Sequence, residues 1–240
     1  ANADGPSFRA GVRDGDRILM VDNKGFVGPT ITNEKVLSAL KGPEGTLVSI
    51  TVKRGNKRLS FKINRGQIKL YSVPVGYMLN ASIGYIKIEQ FSLKTHEEFQ
   101  TMAMKLLSQG MKGLVLDLRG NPGGIMNDAI KVADEFLPHG ETIVSTKGKR
   151  INETVKATKE VGLLEHIRLV VLMDENSASA SEIVAGAIQD NDRGTLLGRR
   201  TFGKGLVQEE QRLSDGSTLR LTIARYYTPS GRCIQKAFNG

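Results

Sequence analysis

Hydrophobic and polar positions change their rhythm near residues 64–70, and the change divides the chain into two regions. Upstream the rhythm is mostly that of strands. Residues 17–21 (Arg-Ile-Leu-Met-Val) predict a short strand after the turn marked by Gly11 and Asp14-Gly15-Asp16. Residues 46–53 and 58–64 alternate with a period of two, and Arg54-Gly55-Asn56-Lys57 between them is a hairpin signal. One short helix is predicted over residues 33–40, where Val36, Leu37 and Leu40 share a face and Thr32 or Asn33 serves as N-cap. Downstream, short apolar runs alternate with longer segments of helical spacing. Strands are predicted at 82–88, 113–118 and 169–173, the last two almost wholly apolar, as in strands covered on both faces. Helices are predicted at 95–109 (Phe99, Met102, Leu106 and Leu107 on one side), 126–137 (Ile130, Ala133, Leu137) and 180–189. Such βα alternation predicts an α/β domain with a largely parallel sheet. Residues 206–227 return to strands around the turn Ser214-Asp215-Gly216, and there is no internal repeat.

Composition narrows the classes. With 240 residues, 39% hydrophobic and 25% charged, the chain is long and apolar enough to bury a core and is not a mainly disordered one. No run approaches the ~20 apolar residues of a membrane-spanning helix. The lone Cys233 excludes an intrachain disulfide, and His96, His139 and His166 are too scattered for a His/Cys metal cluster. No charged-then-apolar leader begins at Ala1, so a signal peptide is expected to have been removed or never to have belonged to this sequence. The net charge of +9 raises a nucleic-acid reading. Residues 41–69 hold Lys41, Lys53, Arg54, Lys57, Arg58, Lys62, Arg65 and Lys69 against the single acid Glu44. These cations alternate with apolar residues and no nucleic-acid motif accompanies them, so a solvated strand face is expected, able at most to attract anionic surfaces or acidic substrates.

Three segments hold the candidate chemistry. Residues 117–124 (Asp-Leu-Arg-Gly-Asn-Pro-Gly-Gly) follow a buried strand and precede a helix, where α/β sheets place ligands. Paired glycines there can bring backbone N–H groups up to an anion and form half an oxyanion hole, or can be an ordinary strand-to-helix turn. Residues 176–182 (Asn-Ser-Ala-Ser-Ala-Ser-Glu) again follow a buried strand and open a helix. A serine there is ordinarily a cap, but the run of small residues gives access and a helix N-terminus favours developing negative charge. Residues 201–208 (Thr-Phe-Gly-Lys-Gly-Leu-Val-Gln) carry a lysine between glycines. If extended from Lys204, they place Lys204, Leu206 and Gln208 on one face, with Gln208 able to aim the amine. No histidine lies in these segments, which disfavours a Ser-His-Asp triad, although a histidine distant in sequence can still reach them; a Ser-Lys pair is the other arrangement open to these residues.

At these segments the sequence resembles the carboxyl-terminal processing peptidases, serine endopeptidases with a Ser-Lys dyad. The matching strings are LDLRGNPGG (116–124), NSASASEIVAGAIQDNDRGTLLGRRTFGKGLVQ (176–208) and YYTPSGRCIQ (226–235), with Ile83–Ile88 like the strand that opens the family core. The resemblance implies Ser179 as nucleophile, Lys204 as general base and Gln208 as the residue orienting it. It implies an oxyanion hole from the backbone N–H groups of Ala180 and of Gly123 or Gly124. Ser177 and Ser181 are the rival nucleophiles, Ser181 being the one expected to cap the helix. The family fold implied is α/β, a crotonase/Clp-protease-like core over residues 67–240. An N-terminally incomplete, β-rich PDZ-like domain over 1–66 precedes it. The family pattern has further elements at both ends, so the chain is expected to be a fragment. Cys233 stands where a small polar residue is usual in the family, and no role is attached to it.

The activity implied is cleavage of C-terminal regions of unfolded or exposed proteins, in the periplasm or cell envelope, with no metal or other cofactor. Partners are protein or peptide substrates with accessible C-termini, the PDZ domain engaging the apolar terminus. Neither oligomeric state nor natural substrate is legible. The rival readings are an inactive PDZ-containing scaffold, an acyl-CoA enzyme of the crotonase type, and, weakest, a nucleic-acid binder.

Overall fold

The structure, a computed structural model, describes residues 5–68, 70–150, 152–157 and 161–237. Lys69 of the basic run therefore lies outside the described residues. The chain forms two compact units, Ala1–Leu70 and Tyr71–Gly240.

The first unit contains α1 (Pro6–Arg9), β1 (Arg17–Val21), β2 (Lys24–Gly25), α2 (Asn33–Leu40), β3 (Leu47–Arg54) and β4 (Lys57–Asn64). Its antiparallel sheet runs β2-β1-β3-β4. Every residue of β3 pairs with β4, from Leu47 opposite Asn64 to Arg54 opposite Lys57, which leaves Gly55-Asn56 as a two-residue loop. Val48, Ile50 and Val52 alternate inward and join Val21 and Ile63 in a small core. Thr32 is the N-cap of α2, its Oγ1 accepting the Lys35 N–H at 3.3 Å. The basic run divides by role. Lys53, Lys57, Arg58 and Lys62 are exposed on the strands, as the alternation predicts. Arg65 instead donates to the carbonyls of Leu40, Ala39 and Leu47, tying α2 to the start of β3. Arg54 grips both oxygens of Asp16 at 2.7 Å and the Gly11 carbonyl at 2.8 Å.

The second unit contains β5 (Val75–Met78), β6 (Ile83–Lys87), α3 (Thr95–Ser108), β7 (Gly113–Asp117), α4 (Met126–Asp134), β8 (Thr142–Gly148) and β9 (Asn152–Lys156). β10 (Arg168–Met173), α5 (Ala180–Asp190), β11 (Thr195–Gly198), β12 (Leu206–Arg212) and β13 (Thr218–Tyr227) complete it. The main sheet runs β11-β10-β7-β6-β5, with β6, β7, β10 and β11 parallel and β5 added antiparallel at the edge. A second, antiparallel sheet runs β12-β13-β8-β9. Its strands β8 and β9 are not called by the sequence pattern, because Ile143 and Val144 are the only aliphatic residues of β8 and Val155 that of β9, too few for a period-two signal. Helix α4 stops at Asp134, three residues short of the expected 137. Phe136 and Leu137 turn back by N–H bonds to the carbonyls of Ala133 and Asp134, and Pro138 bars the residue before it from helical backbone. α5 is buried from Ala180 to Ile188 on every side, the state expected of a helix sandwiched between elements. It therefore carries Ser181 and Glu182 into the interior. No helix among the described residues is long and apolar enough to cross a membrane.

One prediction concerns the first unit. The Arg54 side chain, with the Arg13 N–H, holds the Asp16 carboxyl at about 2, well below the usual carboxylate value. A depressed carboxyl contributes stability above its unfolded value, about 4, and loses it as pH falls toward 2. Protection of the Ile50 and Val52 amides from hydrogen exchange should therefore fall between pH 4 and 2. Arg54→Met should weaken protection at pH 7 and flatten that acid dependence.

Candidate active site

β7 and β10 lie side by side in parallel, with Val171 opposite Leu116 and Leu172 opposite Asp117. Their C-terminal ends release the two candidate loops together, 118–125 leading to α4 and 174–179 leading to α5. The loops are stitched to each other. Leu118 N–H donates to the Leu172 carbonyl at 2.9 Å and Ala178 N–H to the Asn121 carbonyl at 3.0 Å. Gly120 N–H donates to Asp174 Oδ1 at 2.9 Å.

The three serines separate by environment. Ser177 is fully buried; its hydroxyl donates to the Leu118 carbonyl at 2.8 Å and accepts the Asp174 N–H at 3.0 Å. Ser181 is fully buried too, donating to the Asn121 carbonyl at 3.1 Å. Both hydroxyls are structural. The expectation that Ser181 caps the helix is corrected: Ser179 occupies the N-cap position and Ser181 lies inside the first turn. Ser179 is half-exposed. Its backbone sits at φ 55° and ψ −111°, a sparsely populated region for a residue with a Cβ.

Glu182 holds that turn. Its buried carboxylate takes the Ser179 N–H on Oε2 at 2.8 Å and the Lys204 N–H on the same oxygen at 2.9 Å. Oε1 takes the Thr201 hydroxyl at 2.7 Å and the Gly203 N–H at 2.8 Å. Sequence reasoning missed this residue. Its only local signal is a Glu three residues after a Ser, the capping-box spacing. The reach to residues 201–204 has no sequence signature.

Opposite Ser179 stand the glycines. At Gly123 (φ 94°) a Cβ would lie 2.8 Å from Ser179 Cβ and 2.9 Å from Ala180 N. At Gly124 (φ 140°) it would lie 2.0 Å from the Phe91 carbonyl oxygen. Gly123 N–H is engaged by the buried Asn121 side chain, donating to Oδ1 at 2.8 Å. The N–H groups of Gly124 and Ala180 have no acceptor among the described residues. Below them Asp117 braces the loop. It is buried and accepts the Arg119 guanidinium through both oxygens and the Tyr85 hydroxyl at 2.7 Å. Burial alone would raise the Asp117 carboxyl, but Arg119 and Tyr85 outweigh it and hold it below the usual range. The same burial and the neighbouring carboxylate push the Tyr85 hydroxyl up to about 12.

Lys204 precedes β12 and is exposed; its amine has no hydrogen bond or ion pair among the described residues. Gln208 is not brought to it. The register of β12 against β13 shifts between Val207 and Gln208, with the extra residue, Ile223, in β13. β12 begins only at Leu206, so Lys204 precedes the strand whose alternation would set the face shared by 204, 206 and 208. Gln208 is exposed, and its amide bonds to no described residue. The histidines stand apart from the site where their places are described. His96 bonds Glu135 at 2.7 Å between α3 and α4, and His166 lies at the N-terminal end of β10. Cys233 is half-buried and free, lining a cavity of about 420 Å³ that Glu182 and Gly203 also line. No group of three or more His, Cys, Asp or Glu among the described residues is placed to hold a metal ion.

The model of peptidase family S41 matches residues 82–239, and a PDZ domain model matches residues 1–54. The chain belongs to peptidase family S41. It is 44% identical over 239 residues to a carboxy-terminal-processing protease of Bartonella bacilliformis, covering 97% of this chain and 54% of that protein. A probable CtpA-like serine protease of Staphylococcus haemolyticus is 35% identical, covering 96% of this chain and 46% of its own length. The chain thus spans about half the length of the curated relatives it matches. Among solved structures it is similar to a photosystem II D1 C-terminal processing protease, with a TM-score of 0.63 and 31% identity over 96% of this chain and 63% of that one. A putative S41 protease of Bacteroides fragilis, 16% identical at a TM-score of 0.69 over 95% of this chain and 64% of that one, shares the fold. The expected architecture, an S41 α/β core preceded by a PDZ domain, is borne out.

The strained turn yields a stability prediction. Ser179→Gly and Ser179→Ala both remove the hydroxyl, but only glycine relieves the positive φ. That relief, about 1–3 kcal/mol, exceeds the roughly 0.5–1 kcal/mol of extra chain entropy that glycine loses on folding. Ser179→Gly should therefore melt higher than Ser179→Ala, by about 2–4 °C for about 1 kcal/mol at this chain size. Ser177→Ala should melt below the parent and below Ser181→Ala, since it removes the acceptor of the Asp174 N–H, whereas the Asn121 carbonyl that Ser181 bonds keeps the Ala178 N–H.

Proposed function

We propose that this chain is the PDZ and catalytic portion of a serine endopeptidase that cleaves C-terminal regions of unfolded or exposed proteins through an acyl-enzyme on Ser179. The observation that carries the reading is the sorting of the three serines: Ser177 and Ser181 are fully buried in structural bonds, and Ser179 is left accessible on a strained turn at a helix N-terminus. In the proposed reaction the neutral Lys204 amine takes the Ser179 hydroxyl proton as Oγ bonds to the scissile carbonyl carbon. The oxyanion receives the Ala180 and Gly124 N–H groups, which have no acceptor among the described residues; Gly123 is assigned to close packing instead. The C–N bond then breaks, and the lysine ammonium gives its proton to the leaving amine. Water, activated by the same lysine, hydrolyses the ester. No metal or other cofactor enters these steps.

Gln208 is assigned the orienting role on the family resemblance, in a working state in which residues 204–208 bring its side chain to the Lys204 amine. Gln208→Ala should then lower kcat about tenfold or more, the usual scale for a group that aims a general base; unchanged kcat would remove Gln208 from the mechanism. The PDZ unit is assigned capture of the substrate's apolar carboxyl terminus, and a cell-envelope location follows from the same resemblance. The deciding experiment is mass spectrometry of an unfolded protein with an apolar C-terminus, incubated with the parent chain, Ser179→Ala and Lys204→Ala. Cleavage by the parent should fall by about 10³-fold or more in either variant. Equal cleavage by Ser179→Ala would overturn the assignment.

A further inference from the structure

Glu182 sits three residues after the N-cap, where a capping-box glutamate ordinarily accepts one N–H, that of the cap residue. Here the carboxylate does more. Besides the Ser179 N–H it takes the Thr201 hydroxyl, the Gly203 N–H and the Lys204 N–H, all from a segment about twenty residues downstream that leads into β12. Four donors fall on two oxygens, two to each, at 2.7–2.9 Å, and the side chain is buried. An ionised carboxylate alone among the side chains offers two acceptor-only oxygens able to take four donors. The distribution also has meaning: the backbone N–H of Ser179 and that of Lys204 share a single oxygen, Oε2. The two residues assigned to the dyad are therefore fixed in relation to each other through one atom.

We infer that Glu182 is a positioning residue of the peptidase, a carboxylate clamp that sets the place of the Lys204 backbone relative to the Ser179 turn. The inference rests on the Ser179–Lys204 reading above. Glu182 touches neither substrate nor the reacting atoms; it acts by holding the segment that carries the base and the turn that carries the nucleophile. Glutamine is nearly isosteric but supplies one oxygen and one NH₂. Whichever way its amide turns, two of the four donors face an NH₂ group instead of an acceptor. Thr201 gives an independent handle, because its hydroxyl is the one side-chain donor of the four. Valine keeps its shape and removes the donor, and serine keeps the donor.

The test measures kcat and KM on a peptide substrate for the parent chain, Glu182→Gln, Thr201→Val, Thr201→Ser and Ser179→Ala. The kcat values are normalised to serines titrated with a fluorophosphonate, so that misfolded protein is not counted. Glu182→Gln should lose about 100-fold in kcat with KM within about threefold, the pattern of an interaction needed in the transition state. Thr201→Val should lose about tenfold, and Thr201→Ser should stay within about twofold of the parent. A clamp with only a structural role would lower the melting temperature and the fraction of titratable serine while leaving normalised kcat unchanged. That result, or Thr201→Ser as slow as Thr201→Val, would overturn the inference. Should Glu182→Gln fail to fold, the Thr201 pair decides alone. Loss of turnover in Ser179→Ala together with a fully active Glu182→Gln would sink the clamp and leave the dyad standing; parent-like turnover in Ser179→Ala would sink both.

Discussion

No side chain fits at position 123. A Cβ there would come within 3 Å of the Ala178 carbonyl, the Ser179 side chain and the Ala180 nitrogen at once. That absence of room is the constraint on which the site depends. It lets the loop after β7 press against the turn after β10, so that backbone N–H groups from two different strands come together beside one serine. The parallel pairing of β7 and β10 supplies the approach, since both strands release their loops at the same end of the sheet. Gly124 answers a different demand. Its Cα rests on the Phe91 carbonyl, and the Phe91 N–H in turn bonds the Gly123 carbonyl, so the loop is seated on the connection after β6 before it meets Ser179.

An unusual backbone at Ser179 persists only if its surroundings over-determine it, and the surroundings are polar and buried. Asn121, Ser177, Ser181, Glu182 and Asp117 all lie in the interior, and each has its partners. Water cannot compete for those bonds, and breaking any of them strands a desolvated group. The strained turn is thus held by a satisfied network, with apolar packing of α5 behind it. Arg119 and Tyr85 do for Asp117 what the backbone donors do for Glu182: they make a buried charge tolerable where the fold needs a rigid loop.

Much of this was legible in the sequence, for identifiable reasons. The strands at β6, β7 and β10 and helices α3 and α5 announce themselves because their periodicity and composition agree. The Asn176–Gln208 string carries Ser179, Lys204 and Gln208 at fixed spacing. The second sheet was harder, because β8 and β9 mix apolar residues with threonine, lysine and glutamate and satisfy no clean template. That the Asn121 amide takes up the Gly123 N–H and leaves that of Gly124 depends on a rotamer that no spacing encodes. Glu182 escaped for a related reason: three of its four partners are backbone N–H groups, and every residue but proline has one. Gln208 is a different case: the period of two holds within a strand, and Lys204 stands two residues before β12 begins, so the strand's alternation does not by itself set the two on one face.

These differences locate the freedom that remains. The Ser179 side of the site is bound from both loops, through Glu182, through Asn121 and through the close packing at Gly123. The Lys204 side is bound only by its backbone. The Lys204 amine and the Gln208 amide both lack partners among the described residues, and the strand joining them carries an irregular register. On the proposed reading, whatever aligns the base with this serine therefore has little to do at Ser179 and must act on five residues, 204–208. A rearrangement so local requires no change in the main sheet. Its cost is the loss or shift of a few ladder bonds near the start of β12. Binding energy from an extended peptide exceeds that scale easily, since each net hydrogen bond contributes only about 1 kcal/mol. A site with one half rigid and the other half movable can keep its nucleophile poised while leaving the proton acceptor out of line until substrate arrives.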